Sequence, residues 1–404
     1  MTGGRDWIYF CRIFFYEGRR IGTDHQNSPD IEKWLRLIRA DGVGPVMFAK
    51  LLKRFRSVDR ALGASVTELA KVNGIGPRTA ERIARSRDKF DPQKELAAAA
   101  KLGVWIINAA DKRYPPPLRQ IYDPPPVLYV KGTLNRADNL AIAIVGTRRC
   151  STYGAEQAAR FAHVLASAGF TIASGMARGI DTAAHRGALA AGGRTIAVHG
   201  CGLGNIFPPE NKKLLSLTAE SGACLSELPV EYEALPENFP PRNRIISGLA
   251  LGVIVIEAPT RSGALLTAKA ALSQNREVMV VPGKIDSPFN VGSHRLLKEG
   301  AKLVDCVEDV MEALGYIGAD LKGHATLSAE KAQQEVEAPL FDVGRLNLSR
   351  TEKRIYDCLG AEPTHADEVI VATGNGAGKV NSALISLRLK GLIKQLPGNL
   401  FKRN

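Results

Sequence analysis

Arginine beside glycine and hydroxyl residues, just after a short apolar run, is an arrangement suited to binding phosphate, and this chain repeats it. Gly146-Thr147-Arg148-Arg149 follows Ala141–Val145, and Ser174-Gly175-Met176-Ala177-Arg178-Gly179 follows Thr171–Ala173. Gly200-Cys201-Gly202-Leu203-Gly204 follows Thr195–Val198, and the Glu257–Ala264 stretch, with Ser262 and Gly263, follows Val253–Ile256. Small residues let main-chain N–H groups approach an anion, and arginine adds forked donors. A further segment, Phe239-Pro240-Pro241-Arg242-Asn243-Arg244, sets a ring among cations. Cations for the backbone and rings for the bases are what a single nucleic-acid strand needs, each stacked base contributing roughly 1–3 kcal/mol. The same residues have plainer readings. Phe239 can anchor the 227–241 loop, Asn243 can cap a helix beginning near Arg244, and Arg244 can pair with Glu257.

Enzyme chemistry finds less support. Gly200-x-Gly202-x-Gly204 is not the G-x-G-x-x-G of a dinucleotide site, and no acidic residue ends a following strand in the right register. Asp181 and His185 stand one helical turn apart, but Asp181 sits where a helix cap belongs, with His185 as a packed core histidine. The six cysteines are scattered without a C-x-x-C pair, which argues against zinc and disulfides and fits a reducing compartment. No catalytic set, metal or cofactor is expected. No apolar run is long enough for a membrane span, and the start lacks a signal-peptide pattern, so the expected location is the cytoplasm.

The elements that must position these turns follow from periodicity. Short apolar runs alternate with helical patterns at Ala155–Ala168, Asp181–Ala190 and Leu265–Gln274, which predicts an α/β, Rossmann-like doubly wound, mostly parallel sheet over 101–317. All the turns named above then lie at the carboxyl ends of the strands, where such sheets bind ligands.

Before this core, Asp41-Gly42-Val43-Gly44-Pro45 and Asn73-Gly74-Ile75-Gly76-Pro77 repeat with a spacing of 32 residues. Each predicts two short helices joined by a tight turn, so 29–100 reads as an all-α, SAM-like domain with two helix-hairpin-helix repeats, behind a poorly ordered tail, 1–28. Such turns rest on DNA phosphates in some proteins and serve only packing in others. After the core, 318–344 reads as an acidic linker. Residues 345–404 read as a winged helix, with helices opened by Ser349-x-x-Glu352 and Thr364-x-x-Asp367, a third over 377–390, and a hairpin around Pro397-Gly398. It would contact either DNA or protein. Charge follows these divisions: 20 Lys+Arg against 12 Asp+Glu over 1–110, 22 against 15 over 111–304, 2 against 9 over 305–344, and 10 against 5 over 345–404. Three basic blocks around an acidic tether suit a polyanionic partner.

The run from Ser174-Gly175-Met176-Ala177-Arg178-Gly179-Ile180-Asp181, through 192–211 and 226–250, to Val253–Gly283 resembles the DNA processing protein DprA (Smf) family. With 114–132 and the Gly146 turn, the resemblance spans about 110–306. It implies a core that binds single-stranded DNA in natural transformation, self-association as a homodimer, and delivery of the DNA to RecA. It assigns the DNA pocket to Gly146, Thr147 and Arg148, and to Phe239, Arg242, Asn243 and Arg244. Arg149, Ser174, Gly175, Arg178, Ser262 and Gly263 share that edge. The dimer edge falls near His294 and Leu303. A related class, the lysine decarboxylase-like phosphoribohydrolases, carries glutamates after a Gly-Thr stretch. Here Thr267 is followed by Ala268, Lys269 and Ala270, which removes the general acid/base that glycosidic cleavage requires.

Overall fold

The computed structural model describes residues 26–315 and, with short gaps, 350–403. The expected 318–344 linker, the Ser349 cap and nearly all of the expected tail lie outside the described residues. The chain divides into two compact units, the second comprising the C-terminal module.

The core is a nine-stranded sheet. In chain order its strands are β1 (Val104–Asn108), β2 (Val127–Gly132), β3 (Ala141–Val145), β4 (Thr171–Ser174), β5 (Thr195–Val198), β6 (Ala223–Ser226), β7 (Gly252–Val255), β8 (Glu277–Val280) and β9 (Lys302–Leu303). They lie in the order β1-β2-β6-β5-β4-β3-β7-β8-β9. From β6 to β9 every pairing is parallel, while β2 runs antiparallel to β6 and β1 antiparallel to β2. Parallel strands covered on both faces are apolar at every position. In β3, Ala143 and Val145 face one core cluster and Ile142 and Ile144 the other.

The helices flanking the sheet are α8 (Thr152–Ser167) and α9 (Ile180–Ala190) on one face, and α11 (Phe239–Leu249) and α12 (Gly263–Ser273) on the other. The helix expected near Arg244 begins five residues earlier, at Phe239. Prolines in its first turn preset φ and lack N–H groups that would otherwise need partners. β1 and β2 were not predicted as strands, because prolines crowd the segment between them.

The two N-terminal repeats form α2 (Pro45–Phe55) and α5 (Pro77–Ser86), each opened by proline after an extended glycine. Gly42 and Gly74 hold positive φ of 88° and 92°, which only glycine adopts freely. The repeats are reciprocal. Arg82 and Thr79 of the second repeat lie against Gly42, and Lys50 and Met47, their counterparts in the first, lie against Gly74. This helical domain is bound to the sheet. Ile31, Leu35 and Ala99 share a core cluster with Ile106, Tyr129 and Leu214. Residues 27 and 28, assigned to the tail by sequence, instead pair with β1: Ile106 N donates to Asn27 Oδ1 (2.8 Å) and Ser28 N donates to Ile106 O (2.9 Å).

In the C-terminal unit a three-stranded antiparallel sheet packs with helices at Arg350–Cys358 and Ala366–Thr373. The second of these is capped by His365 rather than Thr364, which lies in a short strand. The expected inward residues Val380, Leu384 and Leu387 are buried.

Candidate nucleic-acid interface at the sheet's switch point

Strand order reverses between β3 and β7, so a crevice opens where their carboxyl ends diverge. Gly146–Arg149 follows β3 and Glu257–Gly263 follows β7, which places both turns at that crevice. Thr147 is buried and fixes the first turn. Its N–H donates to Glu257 O (2.8 Å), its carbonyl accepts from Ile180 N (3.3 Å), and its Oγ1 accepts from Arg149 N (3.3 Å). Gly146 packs so closely that a Cβ would lie 2.5 Å from Ile180. With the turn held from below, Arg148 and Arg149 project outward and are exposed.

Arg148 lies over the ring of Phe239, its guanidinium carbon 5.0 Å from the centroid. Phe239 is half-buried and meets Phe207 at 5.5 Å, with the rings tilted by 53°. It therefore combines the anchor and the partly open ring. Phe207 was not picked out by sequence, although the tripeptide Phe-Pro-Pro occurs at 207–209 and again at 239–241, a signal that could have found it.

Beneath the surface lies Arg242, only 5% exposed, donating to Val198 O (3.1 Å) with its Nε unpaired. Its guanidinium occupies the space a Cβ on Gly175 would need. Burial lowers its pKa to about 10, opposed by the charge of Asp181 beside it. Asp181 is itself buried, which raises its pKa, while Arg242 and main-chain donors hold it down. Asp181 is not the cap of α9. That position belongs to Gly179 (φ 72°), where a Cβ would meet Thr147 O at 2.4 Å, and Asp181 instead accepts from Ala177 N (3.3 Å). His185 is a core histidine bonded to Thr195 Oγ1 at 2.7 Å. Burial lowers the pKa of both His185 and His199 to about 3.

Other residues of the edge serve as supports. Ser174 Oγ donates to Ile144 O (2.7 Å). Asn243 lies inside α11 and donates to Gly263 O (3.3 Å), tying α11 to α12, so it caps no helix. Ser262 caps α12 through Ala264 N (3.2 Å). Arg244 pairs with Glu227 (2.5 Å) and Asp123 (3.1 Å), not with Glu257. Glu257 is occupied by Ser151, which donates from N (2.9 Å) and Oγ (2.5 Å). Arg178 is exposed and paired with the equally exposed Glu210. Gly263 is open, with nothing near an added Cβ.

The site thus presents an outward layer of Arg148, Arg149, Arg178, Phe239 and Gly263. Below it lies a buried layer of Thr147, Ser174, Arg242 and Asn243. A doubly wound core with such an edge, joined to a helix-hairpin-helix tandem and a winged helix, defines a modular DNA-binding protein.

The comparisons with known proteins are specific. Residues 105–315 match the family model of DNA recombination-mediator protein A, 344–399 the DprA winged helix domain, and 35–88 the SAM-like helix-hairpin-helix tandem. The chain is 34% identical over 389 residues to protein Smf of Synechocystis sp., covering 92% of this chain and 98% of that protein. It is 36% identical over 377 residues to protein Smf of Escherichia coli, covering 91% and 95%. The X-ray structure of DNA processing protein A from Streptococcus pneumoniae matches with a TM-score of 0.63 at 35% identity, over 69% of this chain and 97% of that one. The chain belongs to the DprA (Smf) family of DNA recombination mediators. Among the described residues no helix is long and apolar enough to cross a membrane.

Proposed function

We propose that the protein is a cytoplasmic mediator that clamps single-stranded DNA at the switch point, protects it on entry during natural transformation and helps load RecA onto it. The observation that carries this reading is Arg148 lying over the partly open ring of Phe239, beside a turn whose backbone is already braced. A phosphate takes the arginine and a base takes the ring, so one nucleotide satisfies both. Arg149, Arg178, Ser262 and Gly263 extend the contact surface, and Thr147, Ser174, Gly175, Arg242, Asn243 and Arg244 hold its geometry. The nearby carboxylates Glu257 and Asp181 are buried and hydrogen-bonded, which favours a clamp over a nucleotide hydrolase. The homodimer reading rests on the edge strand β9, where Leu303 is 53% exposed, and on the helix just before it, Val291–Lys298, which carries His294. Duplex DNA is a second ligand for the flanking modules.

The test is oligothymidine binding by fluorescence anisotropy across a salt series. The slope of log affinity against log salt should be roughly −0.7 per phosphate neutralised. Arg148→Ala should flatten the slope by about that amount and weaken binding. An unchanged slope and affinity would remove Arg148 from the clamp.

A further inference from the structure

The crevice accounts for Phe239 but not for a second ring on the same edge. Tyr153 lies in the first turn of α8 and is 47% exposed despite its size. That turn sits over the end of β7, since a Cβ on the adjacent Gly154 would be 2.4 Å from the Glu257 carboxylate. The Tyr153 hydroxyl donates to Pro282 O (3.2 Å), which follows β8. The ring therefore spans from the end of one strand to the end of the next, roughly 4.8 Å across the sheet. Its orientation is fixed at both ends while its side stays open. Two residues past Pro282, Lys284 is exposed on the same loop, and Arg149, four residues before Tyr153, is exposed in the turn after β3. A fixed open ring with exposed cations on the two segments that hold it is a stacking platform of the kind that tracks a single strand.

We infer that Tyr153 is a second base-stacking platform, carrying the strand away from the Arg148–Phe239 clamp along the ends of β7 and β8 toward Lys284. The ligand is the next part of the same single-stranded nucleic acid. The inference rests on the clamp reading above and adds a direction to it. The strand leaves toward the sheet edge formed by β9, not toward the helical domain bound beyond β6.

The experiment compares oligothymidines of about four and about twelve nucleotides, spanning common single-strand site sizes. The wild-type protein should bind the longer strand more tightly. Tyr153→Ala should lose about tenfold on the longer strand and nothing on the shorter, the loss of one stacked base. Tyr153→Phe and Tyr153→Trp keep a ring and should stay within about threefold of wild type on both. The inference is overturned if Tyr153→Ala binds both lengths as wild type does. It is equally overturned if that variant weakens both alike with a lowered melting temperature, because the tyrosine is then only a strap between α8 and the β8 loop. Arg148→Ala separates the two readings. If it binds the short strand like wild type the clamp fails, whereas if it fails to bind and Tyr153→Ala is silent, only the second platform fails.

Discussion

His185 and His199 stand behind the interface, and their burial sets a pH limit on the core. Both have pKa values of about 3, forced down first by loss of solvent, then for His185 by His199 and Arg242 and for His199 by Arg242. The unfolded chain holds these imidazoles near their ordinary pKa of about 6.5. Below that value the unfolded state binds protons that the folded state refuses. The stability contributed by each neutral histidine is therefore fully present above pH 6.5 and lost as pH falls toward 3. Each contributes a slope of about 1.4 kcal/mol per pH unit in that window. Hydrogen exchange of β4 and β5 amides at several pH values should report the slope. His199→Gln should reduce it by the equivalent of one proton, because glutamine does not titrate and takes up no proton on unfolding. An unchanged slope would mean that His199 is not protonated on unfolding in this window.

At the scale of elements, Asp181 of α9 and Arg242 of α11 are buried together against Gly175, each charge offsetting part of the cost of burying the other. Leaving one member of a buried charge pair alone costs roughly 3–5 kcal/mol, whereas replacing both by neutral groups costs far less. Arg242→Met should therefore lower the urea midpoint of the core sharply, and Asp181→Asn in the same chain should recover most of the loss. Additive losses would show that the two groups are not coupled. This pair also marks the limit of what the sequence discloses. The strands β3 to β8 were legible, because a buried parallel strand is an uninterrupted apolar run. The turns after them were legible as an edge, because topology sends every such turn to the same side. Depth within that edge was not legible. Arg148 and Arg242 are both arginines beside small residues, yet one is exposed and the other fills the space left by Gly175. Only packing distinguishes them. Arg244 and Asn243 were misplaced for the same reason, since their partners Glu227, Asp123 and Gly263 come from distant parts of the chain. Similarly, β2 joins the sheet by antiparallel pairing with β6 and β1 by pairing with β2, long-range registers that no local pattern encodes.

At the scale of the whole molecule, the sheet ends on one side at β9, and this open edge bears on how tightly a long strand is held. The other edge is covered: Asn27 and Ser28 pair with β1, and α1 (Ile31–Ile38) packs on the same side. By contrast, β9 is two residues long, both exposed, and pairs only with β8 among the described strands. An uncovered edge with an exposed leucine is a surface for association, because its unpaired main-chain groups and apolar side chain both gain from a partner. Two copies joined there would present two clamps, and a strand long enough to reach both binds the second at an effective concentration in the millimolar range. Leu303→Lys places a charge in that contact without touching either clamp. Sedimentation should show a dimer for the wild-type protein and a monomer for the variant. The variant should bind a long oligothymidine about a hundredfold less tightly and a short one as before, since only the long strand benefits from the linked second site. A dimeric Leu303→Lys protein would move the interface elsewhere. A monomeric variant with undiminished affinity for the long strand would show that each clamp acts alone.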